Sequence, residues 1–282
     1  MNKLKENKWK SRTLWAVASI FAIFYLIVSI LPFIFMVLNS FKEQFEMLVK
    51  GIFELPGELY LDNYVTVLQG NFVRYFGNSL FVLVVSLIIL LFFTACAAYP
   101  LARFPLKICN PVYAGIVACM SIPIHITLIP IFKMTTDMNL YDTIWALIGP
   151  YVATAVPISA FILTSFMKGI SREIEDAAQI DGCGRVRIFF SIVLPLSKPG
   201  LSTLAIYNGV HMWNEFSFAY TLTQSQQNRT LPLAVWDFKG QYSMNTPMIL
   251  AVLTLTAIPI IIMFIFAQDA LVKGMTAGAV KE

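Results

Sequence analysis

The sequence has 282 residues, of which 58% are apolar and only 13% are charged, and its formal net charge is +4. A mean hydropathy of +0.72 excludes an ordinary soluble globular domain. So small a positive charge gives no reason to expect nucleic acid binding. The chain is therefore expected to lie in a lipid bilayer.

Six apolar runs approach the roughly 20 residues that a helix needs to cross a bilayer. They are Leu14–Leu38, Phe72–Pro100, Ile108–Phe132, Ile144–Phe166, Leu201–Leu222 and Met248–Ala267. The first is longer than the apolar part of a signal peptide and is expected to be retained. Prolines interrupt several runs, which is tolerated where neighbouring helices enclose a pathway. The pattern predicts an all-α membrane protein with an N-terminal segment (1–13), a six-span domain (14–267) and a tail (268–282).

Lysine and arginine predict the orientation. With the N-terminus inside, fourteen of these residues fall on cytoplasmic segments and six fall outside, as the positive-inside rule requires. Both termini and the central polar segment 168–200 are then expected to be cytoplasmic. The expected outer segments are Asn39–Asn71, with room for a short helix on the membrane, and Thr223–Asn245. The second carries Trp236, Phe238 and Tyr242, and it is either a contact for a partner or an ordinary connection.

The central segment 168–200 is polar but internally ordered. Ser171 can cap a helix whose first turn holds Glu173 and Glu175, where the helix dipole favours negative charge. Gly182 is expected to end this helix. A second short helix is predicted from Val186 to Val193, stopped by Pro195.

One side of the first short helix carries Ile174, Ala177, Ala178 and Asp181 at helical spacing. Its two small residues would allow another protein to approach closely. The segment is therefore predicted to be a docking surface and not a catalytic site.

Residues for catalysis or metal binding are scarce. The sequence has no GxxxxGK[ST] phosphate loop, no HExxH motif and no nucleophile beside a base. The four cysteines (Cys96, Cys109, Cys119 and Cys183) lack metal-ligand spacing and are interpreted as small apolar fillers. The two histidines, His125 and His211, lie inside apolar runs, and His125 between two prolines is interpreted as structural. No enzyme activity, metal or cofactor is predicted.

Polar residues inside the fifth run are more informative. If the run is one helix, Asn208, His211 and Glu215 share one face. A carboxylate at membrane depth is costly, so Glu215 should face water or a partner. Two interpretations stay open. Glu215 is either a buried structural group or part of a polar lining for a hydrophilic solute, with Trp213 or Phe218 as stacking faces.

Three stretches resemble a known family. Asp176-Ala177-Ala178, Gly182, Ile192 and Leu194-Pro195 have the spacing of the EAA loop of importer-type ABC transporter permeases, with Asp176 in place of the family's glutamate. Trp213-Asn214-Glu215-Phe216 resembles the fifth span of maltose-type sugar-importer permeases. The stretch from Val272 to Lys281 is similar to the tail of the smaller permease subunit in those systems.

This resemblance implies a type I importer permease fold with a cytoplasmic two-helix coupling loop. The implied partners are a second permease subunit, an ABC ATPase dimer that binds the ATP, an extracytoplasmic solute-binding protein and a small carbohydrate. The implied coupling residues are Glu175, Asp176, Ala177, Ala178, Asp181, Gly182, Ile192, Leu194 and Pro195. The candidate pathway residues are Asn208, His211, Trp213, Asn214 and Glu215.

A transporter of a different class remains an alternative. Glu215 and His211 could form the proton relay of a secondary transporter. That class predicts internal inverted repeats, and the sequence contains no convincing one.

Overall fold

The structure is a computed structural model that describes the backbone of residues 2–238 and 245–279 and the side chains of 14–238, 245–266 and 268. Lys239 and Tyr242 lie outside the described residues. The helices are α1 (Asn2–Ser40), α2 (Gln44–Val49), α3 (Asp62–Gln69), α4 (Phe72–Arg103), α5 (Cys109–Ala118), α6 (Leu128–Asp137), α7 (Trp145–Lys168), α8 (Arg172–Ile180), α9 (Arg185–Ile188), α10 (Leu194–Leu196), α11 (Lys198–Trp213), α12 (Ser217–Leu222) and α13 (Thr246–Ala279). Short 3₁₀ turns cover Cys119–Ser121, Ile124–Thr127, Gln226–Asn228 and Leu231–Phe238, and Phe189–Val193 is a π-helix.

The predicted helical membrane fold is confirmed, because no strand occurs in the described ranges and four helices are long and apolar enough to cross a bilayer. These spans are Leu14–Ser40, Phe72–Arg103, Trp145–Lys168 and Thr246–Phe266. The third expected span is bent, because Cys109–Ser121 meets Ile124–Asp137 at 96°. A second bent pair, in which Arg185–Leu196 meets Lys198–Trp213 at 67°, combines the end of segment 168–200 with the first part of the fifth expected span. Six spans result only if each bent pair counts as one.

Proline accounts for the first bend. Pro123 stands between the two halves of the third apolar run, in extended backbone. Its ring removes a backbone donor and clashes with the preceding turn, so the helix ends and restarts.

The fifth run is also broken, which makes the prediction of one shared helix face wrong. Helix α11 ends at Trp213 and α12 begins at Ser217, so Glu215 lies outside both helices. Its carboxylate accepts hydrogen bonds from the backbone N–H of Phe218 at 2.9 and 3.1 Å and of Ala219 at 3.2 Å. The first N–H groups of a helix have no partner within it. Glu215 satisfies two of them and so stabilises the restart of the helix.

By contacts the chain divides into two compact units. One holds Met1–Gln69 and Phe238–Leu255. Within it the predicted outer segment Asn39–Asn71 does contain short helices, α2 and α3. The buried Asn63 amide of α3 donates to the carbonyl oxygens of Ser40 and Lys42, at 2.9 Å each. These bonds fix α3 against the end of α1, whose most apolar 18-residue window has none of its residues buried.

The other unit holds Gly70–Asp237 and Thr256–Glu282. Its centre is the packing of α4 along α7, with α11 against both. Two apolar clusters form this core. The first includes Leu90, Leu147, Phe218 and Leu222, and the second joins α4 and α7 to the segment 178–193.

Asp142 fastens two connections of this second unit to each other. It has a positive φ of 57° and precedes α7. Its carboxylate accepts from the backbone N–H of Gln224 and Ser225, at 2.8 Å each, and from the Ser225 hydroxyl. Burial acts to raise the pKa of Asp142, but these hydrogen bonds outweigh it and leave the pKa below its ordinary value.

We predict that Asp142→Asn lowers the thermal stability of the purified protein at neutral pH, because hydrogen bonds to a charged group are worth about 1.5–3 kcal/mol each. A lowered pKa in the folded state means that this stabilisation is complete above the unfolded value, roughly 3.9. It is lost as the pH falls through the lower folded value. The stability difference between parent and variant should therefore shrink in acid. Asp137→Asn, at the exposed end of α6, is the control. A difference that does not depend on pH would contradict this account.

Candidate coupling loop and solute pathway

We call residues 168–200 the central loop. Its first helix begins as predicted, since the Ser171 hydroxyl accepts from the N–H of Glu173 at 3.3 Å. The predicted break also occurs. Gly182 has a φ of +81°, and a Cβ placed there would meet nothing within 4 Å. The requirement for glycine is thus conformational and not steric.

The second half of the central loop differs from the prediction. Instead of one helix from Val186 to Val193, α9 continues as the π-helix Phe189–Val193 and then as α10. Pro195 does not stop it, because the chain stays helical through Leu196. The chain bends after Leu196 instead, at Ser197.

A buried ion pair connects the central loop to α4. Arg103 Nε lies 2.5 Å from Glu175 Oε1, and the two side chains are only 5% and 8% exposed. Tyr99 donates its hydroxyl to Glu175 Oε2 at 3.2 Å, and Arg103 Nη2 donates to the carbonyl of Ile170 at 2.9 Å. Breaking such a pair by removing one partner costs about 3–5 kcal/mol, because the other charge stays buried. Glu175 is therefore an attachment point of α8.

Aromatic rings surround this ion pair. Tyr99 lies 5.6 Å from Phe104 and 5.1 Å from Phe189, measured between ring centroids. The Arg185 guanidinium lies 4.9 Å from the Phe104 centroid. Cation–π contacts of this kind are worth roughly 0.5–2 kcal/mol. Both short helices of the central loop are thus held on the end of α4.

Burial corrects part of the predicted docking face. Ala178 is only 8% exposed and packs in the second core cluster with Ala98 and Leu163. Glu175 and Ala178 are three positions apart and face their own chain. An Ala178→Arg change would therefore disturb the central loop itself, so it cannot serve as a test of docking on an ATPase.

The opposite side of the central loop is free to meet a partner. Asp176, Ala177, Asp181 and Gly182 are exposed. Large apolar side chains are exposed beside them: Ile174 at 44%, Ile180 at 87% and Val186 at 72%. Ile192 and Leu194 pack against the second core cluster, whereas Pro195 is exposed. The predicted coupling residues therefore fall into an inward-facing set and an outward-facing set.

A cavity of about 230 Å³ lies beside α7 and α11. Its lining includes three of the predicted pathway residues together with aromatic and hydroxyl groups: Asn208, His211, Glu215, Tyr151, Thr154 and Tyr207. A second cavity of about 410 Å³, towards the bent third span, shares Thr154 and Tyr207 with it. Apolar walls with a few convergent polar groups are typical of sites for small polar ligands.

The individual pathway residues play different parts. Asn208 is only 2% exposed and donates to the Ser159 hydroxyl at 2.9 Å, so it also joins α11 to α7. His211 is exposed, with its ring 4.6 Å from that of Tyr207. Glu215 is partly exposed and both lines the cavity and caps α12. The two interpretations of Glu215 are therefore compatible.

Other candidates do not lie at this cavity. Trp213 is buried against Phe76, with ring centroids 5.6 Å apart, and donates to the carbonyl of Thr256 at 3.4 Å. The Asn214 amide is exposed and donates to the carbonyl of Val210 at 2.8 Å. Phe218 is fully buried and cannot stack on a solute. His125 is exposed in a 3₁₀ turn and is not part of the cavity lining.

Several important residues escaped the sequence analysis. Tyr151 and Tyr207 carry no motif, and only the packing of α7 beside α11 brings them to one cavity. The contacts of Arg103 and Tyr99 with Glu175 also carry no motif, because only the packing of α4 beside the central loop brings these residues together.

Comparisons with known proteins agree with this architecture. The family described as binding-protein-dependent transport system inner membrane component matches residues 75–277. A putative ABC transporter permease protein, ORF2, from Caldicellulosiruptor sp. is 47% identical over 93% of this chain and 95% of its own length. The arabinooligosaccharides transport system permease protein AraQ of Halalkalibacterium halodurans is 32% identical over 92% of this chain and 93% of its own length.

A solved structure shares the fold. A chain from a bacterial ABC transporter involved in the import of the polysaccharide alginate superposes with a TM-score of 0.77 and 21% identity, over 92% of this chain and 96% of that one. None of these matches supports the proton-coupled alternative. The chain belongs to the family of binding-protein-dependent transport system inner membrane components and is an ABC transporter permease subunit, not the ATPase of such a system.

Proposed function

We propose that this chain is a permease subunit of an ATP-driven importer for a sugar or sugar-like solute. It would form half of the translocation pathway, with a second permease subunit forming the other half. An ABC ATPase dimer would bind the ATP, and an extracytoplasmic solute-binding protein would deliver the solute. Both termini and the central loop would lie in the cytoplasm.

The central loop is the observation that carries this proposal. Its inner side is attached to α4 by the ion pair between Arg103 and Glu175. Its outer side exposes Ile180 and Val186, at 87% and 72%, on a segment that is otherwise polar. Exposed apolar groups of this kind mark protein interfaces. A loop anchored on one side and apolar on the other can transmit the movement of a partner to the spans.

Sugar as the solute is supported by the cavity and by the relatives. Tyr151, Tyr207 and Thr154 offer rings and hydroxyls, and Glu215 offers a strong acceptor. Hydroxyl groups of a sugar can donate to such a carboxylate. The relative from Halalkalibacterium halodurans is named for arabinooligosaccharide transport.

The direct test is reconstitution of this chain in liposomes with the second permease, the ATPase and the binding protein that copurify with it from its own membranes. Radiolabelled maltotriose, raffinose and arabinotriose serve as probes. We expect uptake of at least one of them that depends on both ATP and the binding protein. Uptake driven by a proton gradient without ATP would contradict the proposed function.

Ile180→Lys tests the docking surface in the same system. A charge at a site that becomes desolvated is costly, so the variant is expected to lose the ATPase on purification while staying folded in the membrane. Gln179→Lys, on the neighbouring side of α8, is the matched control and should keep the ATPase. Recovery of an intact, ATP-hydrolysing complex with Ile180→Lys would show that another surface makes the contact.

Glu215 is tested by uptake per assembled complex. Glu215→Gln keeps an acceptor for the start of α12, so assembly should be retained, but the weaker neutral acceptor is expected to reduce uptake severalfold. Glu215→Leu removes the cap, at a cost of about 1 kcal/mol, and should reduce both assembly and normalised uptake. Parental normalised uptake in both variants would mean that Glu215 serves α12 alone.

A further inference from the structure

Three exposed aromatic rings form a continuous stack in the second unit. Phe216 and Tyr220 lie 5.5 Å apart between ring centroids with an interplanar angle of 10°, and Tyr220 and Trp236 lie 5.5 Å apart with an angle of 21°. The side chains are 40%, 56% and 36% exposed. Parallel rings in contact are only about 3.5–4 Å apart face to face, so the stack is offset. The three rings therefore overlap only in part.

The fold does not need these rings for its core. On the inner side of α12, Phe218, Ala219 and Leu222 are fully buried in the first core cluster. Phe216 and Tyr220 point the other way. Their exposed faces therefore remain available for another molecule.

Several polar contacts hold the stack in place. Glu215 caps the start of α12 immediately before Phe216, and Asp142 fastens the chain just after α12. Asp237, next to Trp236, accepts from the Tyr75 hydroxyl at 2.8 Å and from Arg229 at 3.1 Å. A surface held in this way loses little conformational entropy when it binds a ligand.

The position of the stack points to its ligand. Glu215 lines the polar cavity beside α11, and Phe216 is the next residue in the chain. Polar groups accompany the rings: the Tyr220 hydroxyl is one, and the exposed Asn214 amide is another. The ring of a pyranose carries C–H groups on its faces and hydroxyls around its edge. It therefore matches flat aromatic faces bordered by polar groups.

We propose that Phe216, Tyr220 and Trp236 form a stacking platform for a saccharide ring, which receives the solute beside the Glu215 cavity. This inference rests on the proposed function as a sugar permease. The neighbouring rings are expected to bind a sugar with similar affinity, so a sugar can move from one ring to the next without being held tightly at any of them. Such a platform acts on solute transfer and not on the contact with the ATPase.

The test uses the reconstituted four-component transporter with the radiolabelled saccharide that the parent takes up best among maltotriose, raffinose and arabinotriose. Phe216→Leu and Tyr220→Leu keep an apolar side chain but remove the flat ring. Phe216→Tyr keeps the ring. Phe93→Leu, which removes an exposed ring elsewhere on α4, is the matched control. The readouts are recovery of the complex, ATP hydrolysis stimulated by the binding protein, and saccharide moved per ATP hydrolysed.

We expect the two leucine variants to move about three- to tenfold less saccharide per ATP, the range that one lost aromatic contact allows. Their assembly and stimulated ATP hydrolysis should be unchanged, and the ring-preserving Phe216→Tyr variant should resemble the parent. A parental transport ratio in both leucine variants would overturn the proposal and favour lipid as the neighbour of these rings. Dissociation of the leucine variants into separate subunits would also overturn it, because the rings would then belong to a contact between permeases. If the parent transports none of the three saccharides, the proposed function is contradicted, and the proposed platform, which rests on it, is contradicted as well.

Discussion

The buried ion pair between Arg103 and Glu175 is the interaction on which the coupling role proposed for this protein depends. It fixes α8 to the end of α4 at 2.5 Å, and Tyr99 completes the coordination of the carboxylate. Because α4 packs along α7 and α11, a displacement of the central loop by a partner would be passed to the helices that border the cavity. A loop joined to them only by its two chain ends would follow a partner without moving the spans.

A second carboxylate in an apolar region is stabilised where the fifth apolar run breaks. Ending α11 at Trp213 exposes N–H groups at the start of α12, and the Glu215 carboxylate satisfies them. The charge that would be costly inside a continuous span is thereby placed at a helix terminus and beside a cavity. The break also turns Phe216 and Tyr220 outward while Phe218 enters the core. Glu215 therefore both stabilises the start of α12 and lines the candidate solute cavity.

Local patterns predicted the parts of this fold that local forces decide. The lengths of the apolar runs predicted the four straight spans. Ser171 predicted the start of α8, and Gly182 predicted the turn after it, where the chain has a positive φ. Interactions between distant segments could not be predicted in this way. Glu175 looked like one more acidic residue in a first turn, and Ala178 like part of a docking face, until the packing of α4 beside the central loop showed both facing inward. Likewise, helical periodicity predicted that Glu215 lies on the same helix as Asn208, but α11 ends at Trp213.

Hydrogen–deuterium exchange of the α8 amides, in the intact chain in nanodiscs, tests the central claim most directly. Arg103→Met and Glu175→Gln should each weaken protection of α8, by up to about 3–5 kcal/mol in opening free energy. The paired exchange Arg103→Glu with Glu175→Arg should recover part of it, and Glu173→Gln, on the exposed side of α8, should weaken protection by no more than the roughly 1 kcal/mol of its interaction with the helix dipole. Parental protection in both single variants would contradict the account, because the central loop would then be held by something other than this ion pair.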